Sequence, residues 1–168
     1  MGVGATFGEA YGKAMEGAGL KLPLTGKAFI SVTNADKGTA VILARRLNKL
    51  GFDLVATHGT TKRLREVGLE CEDVFKVNEG RPNIADLIRQ GDIALIINTP
   101  LGKASRYDEQ AIRKAALQFN TPCVTTITGA EALVEAIATK LNEEKVSVRS
   151  LQEIHEKISH RDHREHRA

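Results

Sequence analysis

Short runs of apolar or β-branched residues recur along the chain at regular intervals. Phe29-Ile30-Ser31-Val32, Phe52-Asp53-Leu54-Val55-Ala56, Ile93-Ala94-Leu95-Ile96-Ile97 and Cys123-Val124-Thr125-Thr126 are each bounded by Gly, Pro, Asn or Thr, the pattern of short strands. A weaker run from Asp73 to Lys76, helped by Val74, Phe75 and the following Val77, supplies a fifth strand. Between these runs the apolar residues fall at helical spacing: Val41, Ile42, Ala44, Leu47 and Leu50; Ile84, Leu87 and Ile88; Ile112, Ala116 and Phe119; Leu133, Ile137 and Leu141. Gly51, Gly68 and Gly91 each follow such a segment, where a left-handed helix stop favours glycine. Alternating strands and helices with short connections require right-handed crossovers. The predicted fold is therefore α/β, a Rossmann-like three-layer sandwich with a five-stranded parallel sheet covered on both faces.

The two ends differ from this middle. Thr6 to Ala18 has a helical pattern rich in Ala and Gly with little apolar surface, and Gly19 to Gly26 reads as a linker through Pro23. That helix needs a partner to pack against. Ser147 to Ile158 predicts a last helix, and Ser159 to Ala168 is a polar run expected to be disordered. The expected division is residues 1–25, 26–146 and 147–168.

Composition narrows the function classes. A chain of 168 residues with 42% hydrophobic and 27% charged residues fits one ordinary globular domain with short tails. The net charge of +3 is spread among interleaved acids and only 4% of residues are aromatic, which argues against a nucleic-acid surface. Cys71 and Cys123 have neither metal-ligand nor redox-pair spacing. No apolar run approaches the ~20 residues that span a bilayer, and Met1 to Leu20 lacks the pattern of a signal peptide, so the expectation is a cytoplasmic protein with no membrane partner.

In an open parallel sheet, ligands bind outside the carboxyl ends of the strands. The segment after the first strand carries Asn34 or Asp36 as a helix cap and Lys37 in the first helical turn, where a cation is mildly disfavoured unless an anion lies in front of it. After the second strand comes Thr57-His58-Gly59-Thr60-Thr61, a turn whose glycine and hydroxyls suit phosphate oxygens, although the same residues also serve as an ordinary cap. His58 reads as a local hydrogen-bonding residue. The third loop holds Lys76, Arg81 and a capping Asn83; the fourth begins at Asn98 and carries Lys103 and Arg106; the fifth, from Thr125, is polar and uncharged. Convergence on one sheet edge predicts an anion site. No Ser/His/Asp set, glycine-flanked nucleophile or compact metal-ligand cluster accompanies it, so binding without chemistry is expected.

Four segments then carry a resemblance: Ala56-Thr57-His58-Gly59-Thr60, Val77-Asn78-Glu79-Gly80-Arg81-Pro82, Ile96-Ile97-Asn98-Thr99 and Ile112-Arg113-Lys114-Ala115-Ala116. Together they resemble the methylglyoxal-synthase-like domain at the C-terminal end of the carbamoyl phosphate synthetase large subunit, over roughly Gly26 to Leu141. The start of the chain, with Met1 to Gly4 and Thr6 to Ala10, resembles the end of the preceding synthetase domain.

The resemblance implies an allosteric unit that binds UMP as inhibitor or IMP as activator. It implies that Lys37, Thr57, Thr60 and Lys76 hold the phosphate and that Asn98 reaches the ribose or base, with Thr61, Arg81 and Lys103 as additional contacts. Thr125 matches a position near the family's ornithine site. The implied partners are the rest of the large subunit and the glutaminase small subunit, with a homo-oligomer left open. No cofactor is implied in this domain; the parent enzyme uses ATP with Mg2+ or Mn2+ to make carbamoyl phosphate from bicarbonate and glutamine for arginine and pyrimidine biosynthesis. Pro100 departs from the hydroxyl residue of the bacterial nucleotide pattern. The alternative is a lyase of the methylglyoxal synthase type acting on dihydroxyacetone phosphate, but Arg81 stands at that enzyme's third-loop Asp, and Arg106 and Tyr107 stand near its fourth-loop His.

Overall fold

Residues 2–99, 106–142, 150 and 152–153 are described by a computed structural model. The elements run in the order α1 (Phe7–Gly17), β1 (Gly26–Ser31), α2 (Lys37–Lys49), β2 (Phe52–Thr57), α3 (His58–Glu66), β3 (Glu72–Val74), α4 (Ile84–Gln90), β4 (Ile93–Asn98), α5 (Arg106–Gln118), β5 (Cys123–Val124) and α6 (Ile127–Asn142). All five strands pair in parallel, in the order β3-β2-β1-β4-β5. The three-layer expectation holds, with the weak run shortened to Glu72–Val74 because only Val74 is buried there.

Period-two alternation divides the sheet between two cores. Ala28, Ile30, Leu54, Ala56, Leu95 and Ile97 face α2, α3 and α6, while Phe29, Val55, Val74 and Ile96 face α4 and α5. Each fully buried Ile or Leu contributes about 1.5–3 kcal/mol of transfer free energy. Gly51, Gly68 and Gly91 take φ values of 90°, 79° and 82°, the left-handed stops expected of them.

Three apolar positions depart from the predicted faces. The buried stripe of α2 is Ala40, Leu43, Ala44 and Leu47, so Ile42 points outward at 61% exposure. The stripe is rotated because Ala40, which carries little apolar signal, packs inward in place of a β-branched neighbour. Phe119 lies past the end of α5 and Leu141 in the last turn of α6; both are exposed because helical spacing no longer carries them over the sheet.

The first helix finds the partner it needs within the chain. Helix α1 packs against α6 through its small residues: a Cβ on Gly8 would lie 2.7 Å from Thr139 Oγ1, and one on Gly12 would meet Leu22 and Ala136. Met15 and Leu22 join the same core as α2 and α6, and Glu16 pairs with Lys140. The expected last helix and polar tail lie outside the described residues except at positions 150, 152 and 153.

Candidate functional site

The strand register sets a polar row on the face that carries Phe29, Val55 and Ile96. Two residues further along each strand, period two brings Ser31, Thr57 and Asn98 to the same face at the carboxyl edge, with Ser31 in register with Asn98. All three are buried. The Thr57 hydroxyl donates to Ser31 Oγ at 3.3 Å. Asn98 is only 4% exposed, yet its Nδ2 has no hydrogen-bond partner among the described residues. A buried amide donor left unmade costs about 1–3 kcal/mol, so the row presents a donor that the described residues leave open.

Two helices begin directly above this row. The Thr57-to-Thr61 segment is no loop: β2 ends at Thr57 and α3 starts at His58, so the predicted turn is a strand-to-helix junction. Gly59 is accordingly the second residue of a helix. Its missing Cβ makes room for Lys37, whose Nζ lies 3.4 Å from where that Cβ would stand. Lys37 is itself the first residue of α2. One ammonium thus sits at the positive ends of two helices, and it makes no ion pair among the described residues.

The caps of these helices set them apart. Thr6 caps α1, Asn83 caps α4 through a full capping box with Asp86, and the Thr126 hydroxyl accepts from Gly129 N in the first turn of α6. By contrast Asp36 and Thr57, the N-caps of α2 and α3, make no side-chain cap bond. Asp36 instead accepts from the Thr33 hydroxyl at 2.9 Å, and Thr57 is turned to Ser31. Helix N-terminal amides without side-chain cap acceptors, two neighbouring helix N-termini and a lysine form a cradle for an anion.

The third loop closes one side. Glu79 lines a shallow hollow with His58 and Phe75. Lys76 is not free: its backbone N–H donates to Glu79 Oε2 at 3.0 Å, and its Nζ lies 3.6 Å from Glu79 Oε1. Asn78 N donates to Asp108 Oδ1 at 3.2 Å, tying this loop to the first turn of α5. His58 Nδ1 meets Asp73 Oδ2 at 2.9 Å, the local role expected of it.

The structure therefore gathers Lys37, Thr57, Thr60 and Asn98 at one edge, with Lys76 on the adjoining loop. Thr60 is buried in the first turn of α3. Thr61 turns inward, donating to Ala56 O at 2.9 Å, so its hydroxyl belongs to the fold. Arg81 reaches along the surface to Asp86 at 3.9 Å and lines a separate depression with Arg89 and Gln90. Thr125 lies in another hollow with Leu20, Arg113, Leu117 and Cys123, where burial pushes the Cys123 thiol above its ordinary pKa against the opposing pull of Arg113. Lys103 and Pro100 lie outside the described residues. Ser31 is the residue that sequence reasoning missed as a site member; the strand pattern marked it as the one polar residue in its run, but only register places it beside Thr57 and Asn98.

No group of three or more His, Cys, Asp or Glu among the described residues has the geometry of a metal site, and no helix among them is long and apolar enough to cross a membrane.

Comparison with known proteins gives a consistent set of relatives. The profile of the family described as "MGS-like domain" matches residues 39–125. The carbamoyl phosphate synthase large chain, C-terminal section, of Methanopyrus kandleri is 56% identical over 156 residues, covering 92% of this chain and 29% of that protein. The carbamoyl phosphate synthase large chain of Acidobacterium capsulatum is 49% identical over 155 residues, 92% of this chain and 14% of that one. The corresponding C-terminal section from Aquifex aeolicus is 48% identical over 159 residues, again 92% of this chain and 30% of its own length. The chain thus spans less than a third of these relatives.

Proposed function

The chain belongs to the MGS-like domain family, and from that premise we propose that it is the regulatory unit of a carbamoyl phosphate synthase large chain, binding a nucleoside monophosphate and performing no chemistry on it. The observation that carries the reading is the pair of helices, α2 and α3, that converge on Lys37 without side-chain caps. A phosphomonoester supplies the missing acceptors and the missing negative charge together. Asn98 Nδ2, buried and without a partner among the described residues, then donates to the ribose or base, and Thr57 and Thr60 add hydroxyls. UMP and IMP are the ligands of choice, with opposite effects on the parent enzyme.

The relatives are longer chains named for that synthase, which supports the remainder of a large chain as the immediate partner. In the assembled enzyme, with its glutaminase subunit and ATP-dependent synthetase domains, the effector acts through unequal affinity for two states of the whole. The isolated chain binds but has nothing to switch. Residues 1–25 continue from the synthetase part, and Thr125 faces the ornithine border.

Calorimetric titration with UMP and IMP tests the reading. Saturable binding of one nucleotide, weakened by about 10- to 100-fold in Lys37→Ala as expected for a charge-assisted contact, is the predicted result. Absence of heat and of any melting shift with both nucleotides at millimolar concentration overturns it. Methylglyoxal release from dihydroxyacetone phosphate would overturn the non-catalytic part.

A further inference from the structure

The two sides of the cradle differ in the counter-charges the described residues give them. At α2 and α3 the N-cap side chains make no cap hydrogen bond, and Lys37 has no counter-ion among the described residues. On the third loop every donor named so far already has an anion: Lys76 N and Nζ are held by Glu79, and Asn78 N by Asp108. Both oxygens of Glu79 engage the same residue, one on its backbone and one on its ammonium, and Glu79 N in turn donates to Lys76 O at 3.1 Å. The carboxylate satisfies Lys76 much as two phosphate oxygens would.

We propose that Glu79 is an internal competitor for the effector's phosphate: while it holds Lys76, the third-loop half of the site is neutralised, and an anion seated on α2 and α3 gains Lys76 only by displacing Glu79. The proposal rests on the phosphate reading of the site given above. Its physical basis is the strength of the pair. The Lys76 and Glu79 side chains are 33% and 45% exposed, and a half-exposed pair at 3.6 Å is worth little net free energy. A dianionic phosphate presents more charge and several acceptors at once, so it wins the lysine without unfolding anything. A weak internal competitor raises the concentration at which the site fills; it does not block it. Glu79 thereby sets the threshold of the effector response, and its displacement moves the one loop that is also tied to α5 through Asp108.

Titration of the full chain with UMP and with inorganic phosphate, at fixed ionic strength, tests this in the wild type, Glu79→Gln, Lys76→Met and the double variant. Glutamine keeps an acceptor for Lys76 N and removes the charge, so the loop stays closed and the melting temperature serves as a check on folding. Glu79→Gln is expected to bind both probes about 3- to 10-fold tighter, the range for removing one screened like charge near an anion. The gain is expected to vanish in the Lys76→Met background. Wild-type binding with no gain in Glu79→Gln overturns the competitor, as does a gain that persists without Lys76. Failure of both the wild type and Glu79→Gln to bind either probe overturns the site reading beneath it. Glu79→Asp, too short to span both donors of Lys76, should give an intermediate gain, and an affinity at or below wild type counts against the proposal.

Discussion

The Lys37 ammonium lies 3.4 Å from the point where a Cβ on Gly59 would stand, so the lysine of one helix rests in contact range of the other at its first turn. Gly59→Ala separates stability from binding at this contact. Alanine in place of a helical glycine is worth up to about 1 kcal/mol, and Gly59 has no positive φ to oppose it. The melting temperature should rise by about 2–4 °C, as such a gain produces in a domain of this size. Nucleotide affinity should fall modestly at most, because the new methyl meets the Lys37 ammonium at ordinary contact distance and only narrows the space in which it can move. Differential scanning calorimetry and titration calorimetry read the two effects, and a marked gain in affinity would contradict the role given to Lys37.

Asn98 carries a similar trade. Its buried Nδ2 has no partner among the described residues, which costs the ligand-free protein free energy, so Asn98→Ala should leave unfolding stability unchanged or raise it by about 1 kcal/mol, against the 2–5 kcal/mol loss normal for truncating a buried side chain. Nucleotide binding should weaken while inorganic phosphate binding stays as it was, since Asn98 serves the sugar or base. Urea titration with and without UMP distinguishes these.

The α1–α6 seam predicts opposite outcomes at two glycines of one helix. Gly8→Val would drive a branched side chain into Thr139 and Glu135, and overpacking of this kind costs about 1–3 kcal/mol. Gly17→Ala meets nothing within 4 Å and should be neutral or stabilising. Thermal melts of the two variants check the pair. Removal of residues 1–25 should destabilise the remainder, because Met15 and Leu22 are part of its core.

Lys27, at the opposite edge of the sheet, gives a pH dependence. Its hydrogen bond to Glu72 at 2.7 Å raises its pKa above the ordinary 10.5; desolvation opposes this, and Glu72, Asp92 and Asp53 add attraction. A lysine whose folded pKa is raised stabilises the fold fully below its unfolded value and loses that contribution as pH rises through the folded one. Stability should therefore decline above pH 10.5 more steeply in the wild type than in Lys27→Met, as followed by denaturant midpoints.

Much of this was legible in sequence because the responsible physics is local. Alternation at period two and recurrence at 3.6 located all five strands and the helices between them, Asn83 announced its own cap, and glycine marked the stops after α2, α3 and α4, since no other residue takes positive φ so cheaply. The cationic and hydroxyl residues of the cradle were visible too, as types that suit an anion at the strand ends.

What tertiary structure alone decided is which of them point where, and against what. Adjacent Thr60 and Thr61 differ by about 100° around α3, so one stays at the site and the other is spent on Ala56 O. Register across β2, β1 and β4 lines up Thr57, Ser31 and Asn98, residues that sequence keeps far apart. Helix α1 carries too little apolar surface to name its partner, and small residues signal nothing until a second backbone approaches; α6 lies more than a hundred residues away. Lys76, expected from the resemblance to hold a phosphate, is engaged by a carboxylate three residues on, a choice the loop's fold makes and its composition does not. Periodicity reports the environment a segment requires, and only the closed sheet supplies the neighbours that make it a site.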